Sequence, residues 1–167
     1  MKCGVLKACD ARKPRGFTLI ELLITLAILG LLASMALPVT RTVMQREKEK
    51  ELRYDLREIR SAIDAYKKAY DDGRMPNTLG DSGYPKSMNA MVNGVVDLKD
   101  PRGRVMHFLR HIPRDPMNPD TSITPEESWG KRCYTSEADN PSEGADVFDV
   151  YSKSTDIGLN GATYDKW

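Results

Sequence analysis

Cysteine, histidine and aromatic residues are all scarce in this chain. Of 167 residues, three are cysteine, two are histidine and 7% are aromatic. Cys3 and Cys9 fall in the first sixteen residues. If those are removed, Cys133 stands alone, which excludes an internal disulfide and leaves a zinc site without ligands. No apolar run precedes Cys9, so a lipoprotein anchor is excluded as well. His107 and His111 stand at i and i+4, but no zincin glutamate lies between them and no third ligand is evident, so they read as surface histidines. The chain has no Ser/His/Asp order, no phosphate-binding glycine loop and no paired catalytic carboxylates, so an enzyme is not expected. It also lacks a basic stripe with interleaved aromatics, which argues against nucleic acid as a partner.

Charge is present but segregated. The overall formal charge of +1 conceals a leader, residues 1–16, with five basic side chains against Asp10. Residues 41–114 carry 16 basic and 11 acidic side chains, and residues 115–167 carry 4 and 11. The acidic tail reads as a solvated face, with cation binding or attraction to the basic middle of a neighbouring copy as the sharper alternative.

From Phe17 to Leu37 the chain reads FTLIELLITLAILGLLASMAL, with Glu21 its one charge. As a helix these 21 residues rise roughly 30 Å, the thickness of a bilayer's hydrocarbon core. Arg12, Lys13 and Arg15 flank the N-terminal end, which places the leader in the cytoplasm and the polar remainder across the membrane. A secretory signal puts its cleavage site after the apolar stretch, whereas here Arg15-Gly16 precedes it. Cutting after Gly16 leaves the whole apolar segment on the mature chain and creates an α-amino group on Phe17. A carboxylate in hydrocarbon costs several kcal/mol unless neutralised or paired, which makes Glu21 a functional candidate whose partner is a positive group at the same depth in another protein.

Gly16-Phe17-Thr18-Leu19-Ile20-Glu21, between a short basic leader and about twenty apolar residues, resembles the class III signal of type IV pilins and type II secretion pseudopilins. The resemblance implies cleavage after Gly16 by a prepilin peptidase and N-methylation of Phe17. It also implies an assembly role for Glu21, which contacts the N-terminal amine of an adjacent subunit in a helical filament. Pro38 falls where the family has a helix-loosening proline. Because Pro38 lacks the amide hydrogen that a helix interior needs, a kink or local melting is expected there.

Beyond Pro38, Leu52, Leu56, Ile59, Ile63, Tyr66 and Tyr70 recur at spacings of four and three, one apolar face of a helix from Thr40 to Ala69. That face is expected to pack on the chain's own globular domain, with Arg46, Glu49, Lys50, Arg53, Arg57 and Arg60 on other faces. Asp71-Asp72-Gly73 stops the helix. Ser87 to Val92 reads as a helical turn or two, and Val105 to Ile112 as a helix or a strand. Trp129 to Tyr134 and Asp146 to Tyr151 read as strands separated by a polar loop with Pro141 and Gly144.

The expected fold class is therefore α+β. A cleaved basic leader (1–16) precedes a transmembrane helix segment (17–39). Its amphipathic continuation (40–70) leads into a globular domain with a small antiparallel sheet (71–167), a pilin-like arrangement. Ile112-Pro113-Arg114-Asp115-Pro116, Val147 to Ser152 and the final Asp165-Lys166-Trp167 resemble the C-terminal region of the major pseudopilin of type II secretion. The implied function is a structural filament subunit forming a periplasm-spanning fibre, and the implied location is the bacterial inner membrane, single-pass, with the C-terminal domain periplasmic. Implied partners are further copies, other pseudopilins or pilins, the prepilin peptidase and an inner-membrane assembly platform. Two alternatives stand beside it. One is a type IV pilin for adhesion, motility or DNA uptake, in which a disulfide commonly closes the C-terminal half. The other is a membrane-anchored periplasmic protein that does not polymerise, which leaves Glu21 without a purpose. The resemblance also implies calcium at Ser152, Asp156 and Asp165. A shortened loop with so few carboxylates predicts weak or no binding, with Asn160-Gly161 forming a tight turn in its place.

Overall fold

The computed structural model describes residues 16–77, 80–137 and 139–167, and of residues 35–39 the backbone alone. Residues 1–15 of the expected leader, with Cys3 and Cys9, lie outside the described residues. One helix dominates: α1 runs Leu19–Asp71 over 53 residues. The backbone stays helical through Pro38, so of the two outcomes expected there local melting does not occur. The division between two compact units falls within α1, between Thr42 and Val43. Among the described residues no helix is long and apolar enough to cross a membrane. Residues 19–34 rise roughly 24 Å as helix, and the rest of the expected span to Leu37 lies where only backbone is described.

At its other end α1 stops where expected, and the geometry gives the reason. Gly73 takes φ 66°, its N–H bonds the Tyr70 carbonyl at 2.9 Å, and the Arg74 N–H bonds that of Ala69 at 3.0 Å. This paired arrangement satisfies two terminal carbonyls and needs a residue tolerant of positive φ.

The four-three spacing is met by burial. Leu52, Leu56, Ile59 and Ile63 are buried, and they join Met88, Met91, Leu109, Trp129, Val147, Val150 and Tyr164 in one core. Tyr66 packs on this core half-buried, its ring edge-on to Phe108 with centroids 5.2 Å apart. Each such aliphatic side chain taken from water contributes roughly 1.5–3 kcal/mol, which is why α1 settles on its own domain through this face. One expectation fails here. Glu49, assigned to another face, is buried at 6% exposure, because it lies three residues before Leu52 and so shares the core register.

The remaining elements are short. Ser87 caps α2 (Met88–Asn93) by accepting the Ala90 N–H. Two two-residue strands pair antiparallel, β1 (Val95–Val96) with β2 (Val105–Met106). The stretch expected to be regular from Val105 to Ile112 is a strand only at its start. His107 instead contacts the Val92 carbonyl through Nδ1 at 2.9 Å, so the two histidines share no helical face. The turn α3 (Pro125–Ser128) carries a capping box between Thr124 and Glu127. It leads directly into β3 (Trp129–Arg132), which pairs antiparallel with β4 (Asp149–Ser152), Trp129 opposite Ser152 and Gly130 opposite Tyr151. A Cβ on Gly130 would lie 2.4 Å from the Tyr151 ring, so this glycine lets the ring lie across the strand. Both strands are shorter than expected. β3 ends because Cys133 turns its N–H to the Ser142 carbonyl, and the first three residues of the other expected strand precede the ladder.

Candidate assembly site

The helix starts at the motif itself. Leu19 is the first helical residue, and the Thr18 hydroxyl accepts the Glu21 N–H at 3.2 Å, satisfying one amide of the first turn. Glu21 stands three residues after this cap, where a capping box would fold a carboxylate back onto the backbone. Among the described residues its side chain bonds none. The other two polar side chains of residues 19–34 are internally satisfied: the Thr25 hydroxyl donates to the Leu22 carbonyl at 2.8 Å and Ser34 to that of Leu31 at 2.7 Å. Around Glu21 the surface is apolar and open. The large apolar side chains from Phe17 to Leu32 range from 52% exposed at Ile28 to 84% at Phe17. At roughly 1.5–3 kcal/mol for each side chain, leaving them in water costs tens of kcal/mol, so the helix is built to be covered by lipid or by protein. Among the described residues nothing lies within 4 Å of the Cβ position of Gly16.

The second place singled out by sequence is the C-terminal loop, where calcium is expected at Ser152, Asp156 and Asp165. Ser152 is fully buried, and its hydroxyl donates to Asp115 Oδ2 at 2.6 Å while accepting the Ser154 N–H. Asp115, 1% exposed, also accepts the Met117 N–H at 2.8 Å, and burial pushes its carboxyl above the usual range. Asp156 is exposed, and Asp165 carries one buried oxygen without a protein partner. Among the described residues no three His, Cys, Asp or Glu side chains lie close enough together to hold a metal.

Protein groups close the loop. The Gly161 N–H bonds the Gly158 carbonyl at 2.9 Å with Gly161 at φ 82°, and Asn160 Oδ1 accepts the Ala162 N–H, the tight turn expected at Asn160-Gly161. Ile157 and Thr163 form an antiparallel bridge across it. Glu49 Oε1 then accepts from the Leu159 N–H at 2.8 Å and the Tyr164 hydroxyl at 2.9 Å, and Gln45 Nε2 reaches the Ile157 carbonyl at 3.3 Å. Sequence reasoning missed this anchor. Its signal was available, since Gln45 and Glu49 extend the four-three spacing of the apolar stripe as polar residues in core register.

The N-terminal region matches the family described as "Prokaryotic N-terminal methylation motif" over residues 11–37. The chain is 30% identical over 122 residues to the "Type II secretion system core protein G" of Aeromonas hydrophila, covering 72% of this chain and 79% of that protein. It is 28% identical over 120 residues to the protein of the same name from Pectobacterium carotovorum, with 71% and 72% covered. It is 37% identical over 82 residues to the "Type IV major fimbrial protein FimA" of Dichelobacter nodosus, with 45% and 51% covered. No solved structure gives a significant match. A long helix opened by a methylation motif, with small antiparallel sheets behind it, defines a pilin-like α+β protein. Within that class the chain belongs to the type II secretion system core protein G family.

Proposed function

We propose that this chain is the structural subunit of a type II secretion pseudopilus, a helical filament built through the N-terminal helix. The observation that carries this function is Glu21, whose carboxylate bonds none of the described residues, within an exposed apolar helix whose other described polar side chains are satisfied. A filament supplies the partner. Cleavage after Gly16 frees the amine of Phe17 in one copy, and Glu21 of another neutralises it. Methylation of that amine keeps its charge. Before assembly, Phe17 to Val39 lies in the inner membrane, with the leader cytoplasmic and residues 40–167 periplasmic. The missing amide hydrogen of Pro38 allows the helix to bend there as copies pack. The prepilin peptidase, the inner-membrane assembly platform and other pseudopilins are its partners.

The test has two parts. Intact-mass measurement on protein from its native membrane gives loss of residues 1–16 and one added methyl; a full-length mature species refutes the processing. Glu21→Leu leaves insertion intact, since it makes the span more apolar, and lowers filament yield at least tenfold. Equal filament yield from Glu21→Leu and the unaltered chain refutes the pairing.

A further inference from the structure

The part of α1 that packs on the globular core carries its charges in two separate stripes. Arg46, Arg53, Arg57 and Arg60 follow one another at spacings of seven, four and three. Glu47, Glu51 and Glu58 follow at four and seven. At about 100° per residue each set forms one flank, and the two flanks and the buried stripe lie roughly a third of a turn apart. Tyr54, 62% exposed, sits between the flanks on the side away from the core. The stripes are not pure. Lys50 pairs with Glu47 at 2.7 Å, exposed Lys48 stands one turn before Glu51, and Asp64 follows Arg60 one turn on.

Among the described residues each flank keeps charges without an ionic partner. On the basic side, Arg53, Arg57, Arg60 and Lys166 line a groove of about 610 Å³ whose wall is Trp167. Arg60 is committed to Asp149 at 2.8 Å and to the Val150 and Trp167 carbonyls. Arg53 lies over the Trp167 ring at 4.3 Å, and Arg57 bonds only the Arg53 carbonyl through Nε. Among the described residues no carboxylate pairs with Arg53, Arg57 or Lys166. On the acidic side, Glu51 and Glu58 pair with no described cation. They flank the buried Asp55, whose carboxyl is pushed up to about 6 by burial first and then by these two charges. Asp115 adds to that repulsion and His111 opposes it. The acidic flank is thus a cluster of like charges with too few cations, and the opposite flank of the same helix holds free cations in a groove.

We propose that the acidic flank of α1, Glu51 and Glu58, docks against the groove of Arg53, Arg57 and Trp167 on a second copy of this chain. The two surfaces are different patches of one molecule, so the contact is heterologous. A heterologous contact whose rotation does not close into a ring propagates a filament, as the function proposed above requires. Charge complementarity of this kind fixes register and orientation between copies, while the apolar N-terminal helix supplies most of the burial. Arg suits the role, since its planar fork binds carboxylates in pairs of hydrogen bonds and stacks on an aromatic ring at once. The proposal rests on the filament function above and assigns its lateral contact.

The experiment is charge reversal in the full chain, expressed in the native membrane, with sheared filament yield normalised to membrane-inserted protein. Three variants are compared with the unaltered chain: Arg53→Glu with Arg57→Glu, Glu51→Arg with Glu58→Arg, and all four together. Each pair alone is expected to lower filament yield at least tenfold, because each replaces attraction with repulsion at every contact. The fourfold variant again presents opposite charges across the contact and is expected to recover to within about threefold of the unaltered chain. Unchanged yield in either double variant overturns the proposal. So does loss in both doubles without recovery in the fourfold variant, which means each flank meets something other than the opposite flank. Glu21→Leu separates the two levels. If the unaltered chain forms no filament, the filament function itself fails and the docking contact with it; if Glu21→Leu assembles normally, only the Glu21 pairing fails. If it abolishes filaments while the reversals do nothing, the filament function stands and only the docking contact falls.

Discussion

Replacing Glu49 by alanine removes the carboxylate that ties the C-terminal loop to α1. Glu49 Oε1 accepts from the Leu159 N–H at 2.8 Å, the Tyr164 hydroxyl at 2.9 Å and Gln45 Nε2 at 3.3 Å. Glu49 is 6% exposed and Tyr164 2%, so water replaces the bond between them poorly. Hydrogen bonds to a charged group contribute about 1.5–3 kcal/mol each, and an orphaned buried donor costs about 1–3 kcal/mol. Tyr164 keeps a bond from Gln45 at 3.0 Å and Leu159 is 47% exposed, so Gln45 and water each offset part of the loss. The expected loss is about 3 kcal/mol, and for a domain of this size that lowers Tm by roughly 10 °C. Glu49→Gln keeps an acceptor and is expected to cost about 1 kcal/mol. The assay is thermal unfolding of a chain beginning at Thr40, with hydrogen exchange at the Leu159 amide as a local probe. The same melts with chelator and with millimolar calcium are expected to agree within about 1 °C, since a bound ion raises Tm with its concentration. A Glu49→Ala Tm within a degree of the unaltered chain refutes the anchor. A large calcium-dependent rise that Asp156→Ala abolishes shows that a metal holds the loop instead.

Two further outcomes follow from the packing. Asp55 titrates near 6 because of burial and then the charges of Glu51, Glu58 and Asp115. The folded state therefore holds this proton more tightly than the unfolded chain does. Its stabilising effect is present at low pH and is lost as pH rises from about 4 through 6. Urea midpoints at pH 4.5 and 7.5 check this: Asp55→Asn is expected to raise stability at pH 7.5 by about 1–3 kcal/mol and to flatten that fall, and a destabilised Asn variant at pH 7.5 contradicts it. Gly130→Ala puts a methyl 2.4 Å from the Tyr151 ring and is expected to cost about 1–3 kcal/mol, whereas adding Tyr151→Ala removes the clash, so the double variant loses less than the two single losses combined.

The motif, the run behind it and the period of α1 were legible in sequence because each is local. A charge inside an apolar run, a glycine ahead of it and a four-three spacing need no partner to be recognised. The Asn160-Gly161 turn and the stop at Gly73 belong here too, since positive φ is a property of the residue itself. Tertiary structure alone decided where the polar groups of the core find partners. Asp115 and Ser152 are 37 residues apart and meet through a 2.6 Å hydrogen bond, and Glu49 reaches Tyr164 across 115 residues. Nothing in the neighbourhood of either residue announces the other. Glu49 looked like surface charge because glutamate is costly to bury, and it lies inside because three donors converge on one of its oxygens. The three residues expected to hold calcium were matched by position along the chain, whereas a cation needs oxygens converging on one point. The fold turns Ser152 to Asp115 and leaves Asp156 at the surface.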